Sequence, residues 1–419
     1  MLMADNVTFA TPDQPKMNAQ LCLVFLVAVV GVHVGANPVQ TISALDEDAG
    51  LLTPELAGKY GYPVETHKVT TADGYILTVH RIPNGKNAAP APPEGRPVIW
   101  LQHGLLCSSA DWLMNTREKA WAYRLSDAGY DVWLGNARGN TYSKEHVSFD
   151  VKSDEFWEFS WHEMGQYDLP AVFDYVLGVT GKEDLYYAGH SMGTTMFFTC
   201  MATRPEYNSK IRLMNAFAPV SFTEHMISPI NLIAPFANQI EWLLRMLGMN
   251  EFLPDSILMD FLGATICDQH SPIKGLCSNV LFLLCGYNAE QLNDTMLPII
   301  MGHTPAGASV RSLVHYAQGV NSGEFMQYDH GKQKNLERYG QEKPPRYDVS
   351  KITAPIALYW GENDWLGVKS DVARLAELLP NLQRKYRVVH DKFNHMDFLF
   401  AKNVDTLLYE TVEAFMKYF

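Results

Sequence analysis

The sequence predicts an α/β protein built on a mostly parallel sheet flanked by helices, with a helical cap inserted late in the chain. Three observations carry that expectation. Short apolar runs recur, each bounded by turn residues: "PVIWLQHG" (97–104), "YDVWLGNARG" (130–139), "LYYAGH" (185–190), "NAFAPV" (215–220) and "PIALYWGEND" (355–364). Helical patterns such as "TREKAWAYRLSDAG" and "YDLPAVFDYVLGVTG" lie between them, as βαβ units require. The alternation then stops between about Phe222 and Arg346, where the periodicity is helical and the composition rich in Met, Leu and Ile.

Taken in order, the chain begins with a polar stretch to Lys16, followed by "MNAQLCLVFLVAVVGVHVGANPVQ" from Met17. Its apolar run from Leu21 to Val32 is short for a membrane span, and Val34 and Ala36 fit a signal-peptidase site. Residues 1–36 are therefore expected to be an extension and signal peptide, with Met17 a second candidate start and no membrane anchor left after cleavage. An uncleaved signal anchor is the competing reading of the same run. No ER-retention tail is present, so secretion is the expectation, with lysosomal delivery as the alternative.

"VETHKVTTADGYILTVHRI" alternates on both sides of Asp73-Gly74 and reads as a β-hairpin, and a proline-rich loop follows at 85–97. The first part of the core is assigned to 37–221, the helical cap or lid to 222–346 and the second part of the core to 347–419. An apolar cap over a polar site suits a greasy substrate, although such a segment also serves as a plain second core.

The bulk composition is that of an ordinary globular protein, 47% hydrophobic and 19% charged over 419 residues. A formal charge of −13 and the absence of a Lys/Arg run speak against nucleic-acid binding. No Cys/His spacing suggests a metal, and no cofactor motif is present.

The chemistry concentrates in "LYYAGHSMGTTMFF", where Gly189 and Gly193 flank Ser191 in a G-x-S-x-G pattern. Five-residue glycine patterns also arise by chance, so context decides. Here a predicted strand precedes the serine and a helical pattern follows it, the setting of a nucleophile elbow. A serine hydroxyl needs a base, and the base an orienting acid. Asp364, after the run that ends "WGEND", and His395, after "KYRVVHDKF", follow in the chain order of the α/β-hydrolase fold. Glu362 and His390 are their nearest rivals. Backbone N–H groups of Met192 and Leu105 are the expected oxyanion donors, with His103 assigned to stabilising the turn.

Five cysteines remain after the signal, an odd number that leaves at least one thiol unpaired. Cys267 and Cys277 bracket a loop-like stretch and form the expected disulfide, Cys200 reads as a buried thiol, and Asn293 heads the one sequon of the mature chain.

With these residues assigned, the sequence resembles the acid lipase family of gastric and lysosomal lipases and their insect digestive relatives. The matching blocks include "LQHGLLCSSADW", "GNARGNTYS", "DEFWEFSWHEMGQYDLPA", "GHSMGTT", "PPRYDVSKITAPIALYWGENDWL" and "NHMDF", spread from about Leu51 to the C-terminal part. The resemblance implies an α/β-hydrolase core with a lid, hydrolysing neutral-lipid esters at an oil–water or lipid-particle interface. It places nucleophile, acid and base on Ser191, Asp364 and His395, oxyanion donors on Leu105 and Met192, a disulfide on Cys267 and Cys277, and a free cysteine on Cys285. Vertebrate members carry Gln where this chain has Met192, a change that leaves the backbone donor in place. Two other functions compete: a carboxylesterase for small soluble esters with the same triad, and a non-catalytic lipid carrier.

Overall fold

Successive side chains of a strand point to opposite faces, so a strand apolar at every position needs cover on both. In the computed structural model, which describes residues 47–92, 94–253 and 284–419, the central strands meet that condition. β3 (Val98–Gln102), β4 (Asp131–Leu134), β6 (Leu185–His190) and β10 (Ile356–Trp360) are buried along their whole length. Within β3, Val98 and Trp100 enter one apolar core together with Trp133, Tyr187 and Leu358. Ile99 and Leu101 enter a second core on the other face, with Val132, Tyr186 and Tyr359.

Among the described residues the sheet has nine strands. Eight follow the order β1-β2-β4-β3-β6-β7-β10-β11, and the short β5 (Glu145–His146) pairs with β2. The hairpin expected around Asp73-Gly74 is present as β1 (Glu65–Thr70) and β2 (Tyr75–Ile82), which pair antiparallel. From β4 to β11 (Leu382–Arg387) every neighbouring pair is parallel. The strand order reverses at β3, with β4 on one side and β6 on the other. Open α/β sheets place their sites at the carboxyl ends of the strands beside such a reversal.

One expected strand is displaced. The run read at 215–220 is β7, Ile211–Phe217, which begins four residues earlier. Arg212 obscured that start. Its guanidinium leaves the sheet to pair with Asp184 at 2.6 Å and covers the ring of Tyr186, so a charged residue occupies a strand position.

Helices cover both faces. α1 (Trp121–Asp127) lies on the second core, while α2 (Leu169–Thr180) and α3 (Met192–Thr203) supply the first. Between β7 and β10 the chain builds mainly helices: α4 (Ala237–Met246), α5 (Leu297–His303), α6 (Val310–Ser322) and α7 (Lys332–Tyr339). α6 starts where the Ser309 hydroxyl accepts the Ser312 N–H, a cap for one of the free donors of the first turn. The insertion is not free of strands, contrary to the reading from periodicity. β8 (Glu251–Phe252) and β9 (Ala308–Ser309) pair antiparallel, and two residues are too few to leave a period in the sequence.

α8 (Lys369–Leu378) anchors both ends of this insertion to the core. Arg374 donates to Glu224 at 3.2 Å and to Glu324 at 3.1 Å, and its guanidinium lies 4.1 Å from the centre of the Phe222 ring. Asp371 accepts from the backbone N–H and Nδ1 of His225. The signal segment (1–36), Cys267 and Cys277 lie outside the described residues. No helix among the described residues is long and apolar enough to cross a membrane.

Candidate active site

Ser191 joins β6 to α3 with φ 52° and ψ −116°, a conformation that costs a non-glycine residue about 1–3 kcal/mol. Three contacts hold it there. Its N–H donates to the Phe217 carbonyl at 3.1 Å, and its own carbonyl accepts the N–H of Thr194 at 2.8 Å and the hydroxyl of Thr194 at 2.6 Å. The flanking glycines are required by backbone contact. A Cβ on Gly193 would lie 2.4 Å from the Gln102 carbonyl oxygen, and one on Gly189 would lie 2.7 Å from the Gly193 carbonyl carbon. The pattern therefore reports how closely the turn is folded against itself and against the end of β3.

The loop after β3 passes directly beside the serine. A Cβ on Gly104 would stand 3.2 Å from Ser191 Cβ, so the backbone of Gly104 and Leu105 runs alongside the elbow. Met192 is the first residue of α3, where backbone N–H groups lack helical acceptors. His103 fixes this loop. It is buried, its Nε2 accepts the Ala137 N–H at 3.0 Å, and its Nδ1–H donates to the Gly104 carbonyl at 2.7 Å. Burial pushes its pKa down to about 4, so the ring is neutral and suited to turning the Gly104 carbonyl away from the serine.

Asp364 and His395 meet at the same sheet edge, in the loops after β10 and β11. Both carboxylate oxygens lie 2.9 Å from His395 Nδ1, and both side chains are buried. The N–H groups of Leu366 and Gly367 anchor Asp364 Oδ1 at 2.9 and 2.8 Å. With Nδ1 donating to the acid, Nε2 carries the lone pair. Nε2 has no hydrogen-bond partner among the described residues, and nucleophile–base bonds often tighten only when a substrate is engaged. The rivals stand elsewhere: Glu362 pairs with Lys369 at 3.1 Å, and His390 lies 3.5 Å from Glu290.

Two further contributions had no signal in residue type. The main-chain carbonyl of Cys285 accepts the N–H of His395 at 3.2 Å and that of Trp365 at 3.5 Å, linking the loops of Asp364 and His395 through the middle of the insertion. His190 donates from Nε2 to the His395 carbonyl at 2.8 Å. Cys107, Cys200 and Cys285 are free and buried, as expected for Cys200 and Cys285. Asn293 and Thr295 of the sequon are both at least partly exposed. No group of acidic, His or Cys side chains among the described residues has the arrangement of a metal site.

Comparison with known proteins bears on the fold and the family. Residues 53–116 match a "Partial alpha/beta-hydrolase lipase region" and residues 97–402 the "alpha/beta hydrolase fold". The chain is 40% identical to Lipase 3 of Drosophila melanogaster, over 93% of this chain and 96% of that one. It is 38% identical to the gastric triacylglycerol lipase of Rattus norvegicus, covering 94% and 99% of the two chains. The lysosomal acid lipase/cholesteryl ester hydrolase of the same species is 38% identical, over 93% and 97%.

The chain belongs to the acid lipase family. It is accordingly a carboxylic ester hydrolase with the α/β-hydrolase fold. Acid lipase membership also accounts for the long insertion, since the alignments run through it to cover nearly the whole of each relative.

Proposed function

We propose that this acid lipase is an exported enzyme that releases fatty acids from neutral-lipid esters, triacylglycerols or cholesteryl esters, through an acyl-enzyme on Ser191. The observation that carries the mechanism is the buried Asp364–His395 pair at the edge where Ser191 is held in a strained turn. Ser191 Oγ attacks the ester carbonyl while His395 Nε2 takes its proton, and Asp364 orients and stabilises the resulting imidazolium. The N–H groups of Leu105 and Met192 receive the oxyanion. The imidazolium then protonates the departing alcohol. Water, activated by the same histidine, releases the fatty acid. No cofactor enters this sequence.

A lipid interface as the working surface is supported by α4. Trp242 and Met246, one helical turn apart, are 64% and 68% exposed, and Leu243 and Leu247 continue the apolar face. Export is supported by the signal pattern from Met17, a glycan on Asn293 by its exposure, and a Cys267–Cys277 disulfide by their spacing and the family resemblance.

The test is fatty-acid release by the purified protein and by Ser191→Ala, on emulsified long-chain triacylglycerol, a cholesteryl ester and a soluble short-chain ester. Release from the emulsions by the unaltered protein alone is expected. Activity confined to the soluble ester would make it a carboxylesterase. Equal activity in the Ser191→Ala protein would remove Ser191 from the mechanism.

A further inference from the structure

His190 precedes the serine and is buried, with its two ring nitrogens in different circumstances. Nε2 lies 2.8 Å from the main-chain carbonyl of His395, which can only accept, so Nε2 carries the proton. Nδ1 is then unprotonated, and it has no partner among the described residues. A Cβ on Gly104 would lie 3.3 Å from it, so this nitrogen faces the loop that carries Leu105. The rings of His190 and His395 stand 4.9 Å apart at 46°. Burial pushes the His190 pKa down to about 3, so the ring stays neutral and the direction of its hydrogen bond is fixed.

His395 is otherwise held from two sides. Its N–H reaches the Cys285 carbonyl within the insertion, and its Nδ1 reaches Asp364 in the neighbouring loop. Neither contact refers His395 to the serine. The His190 bond does, because His190 ends the fully buried strand β6 and Ser191 is the next residue, in the turn that follows it. Reaction requires Oγ and Nε2 at a set separation, and a displacement of about 1 Å can cost a factor near 100 in rate.

We propose that His190 is a positioning residue: its Nε2–H bond to the His395 carbonyl sets the base against the nucleophile through the sheet, independently of the insertion that supplies Cys285. This inference rests on the assignment of Ser191 and His395 made above.

The test compares His190→Leu, His190→Gln and His190→Asn in the full chain, with Ser191→Ala as control. The amide nitrogen of Gln reaches the place of Nε2 and can donate the same bond, whereas that of Asn stops short of it. For a soluble ester, His190→Leu and His190→Asn are expected to lower kcat by about 10- to 100-fold with KM within about twofold. The rate of inactivation by a serine-directed phosphonate should fall in parallel, and His190→Gln should recover most of both. A folded His190→Leu with unchanged kcat overturns the proposal, as does a loss equal in the Gln and Asn proteins. If His190→Leu does not fold, the Gln and Asn proteins decide by the same criterion. Full activity in Ser191→Ala would instead sink the triad assignment, an outcome the His190 variants cannot mimic.

Discussion

At the scale of single residues, the role proposed for Asp364 is orientation and charge, without contact to the ester. Asp364→Asn keeps the shape but turns an N–H toward His395 Nδ1, which selects the wrong imidazole tautomer. A loss in kcat on the order of 10³–10⁴ is expected with melting behaviour little changed, measured on a soluble ester and by calorimetry. Asp397 makes a different prediction. It sits two residues beyond the base and is buried, with Oδ2 accepting from the Asn394 N–H at 2.8 Å and Asn288 Nδ2 at 2.6 Å. Burial raises its pKa to about 7 against those two hydrogen bonds. The folded chain therefore binds this proton more tightly than the unfolded chain, whose carboxyl titrates near 4. Its contribution to stability is full below about pH 4 and is lost as pH rises through about 7. Asp397→Asn retains an acceptor for both donors and removes the titration. The Asn protein should gain roughly 2 kcal/mol on the native one between pH 5 and pH 8 in urea unfolding. A difference that does not change with pH would show that this carboxyl is already charged in the folded chain.

At the scale of elements, the elbow depends on what cannot be placed there. Gly193→Ala would force a methyl group to within 2.4 Å of the Gln102 carbonyl, so β3 or the first turn of α3 must move. The expected result is a loss of about 3 kcal/mol, the upper end of the usual cost of overpacking, in urea unfolding, together with loss of ester hydrolysis. This is also why the elbow was legible in the sequence: steric exclusion leaves a residue type behind. Asp364 and His395 were legible for a related reason, since each follows an apolar run whose end marks the sheet edge. The beginning of β7 was hidden by Arg212, and β8 and β9 were too short to show a period. The contributions of Cys285 and His190 were invisible because main-chain carbonyls accept regardless of side chain. The His190–His395 bond in addition spans 205 positions of sequence.

At the scale of the whole molecule, the core and the insertion divide the work. The core carries Ser191, Asp364 and His395 in the turn and loops that follow β6, β10 and β11, and the insertion presents the exposed apolar face of α4 while remaining pinned by Arg374 and Asp371. Replacing both Trp242 and Met246 by Ser should weaken adsorption to emulsified triacylglycerol by about tenfold and leave hydrolysis of a soluble ester within about twofold. Equal losses on both substrates would place these side chains in the site itself and not at the interface.

The order of the reacting groups along the chain has a consequence for its biosynthesis. Ser191 is made first, Asp364 much later and His395 last, in the loop after β11 at the margin of the sheet. At ~5–20 residues per second the ribosome needs on the order of 10–40 s to travel from the nucleophile to the base. Throughout that interval a nascent chain carries a serine with nothing to deprotonate it, beside whatever bilayer the ribosome occupies. With Ser191 and His395 in the roles proposed above, a chain assembled in this order hydrolyses no ester until the base has been added.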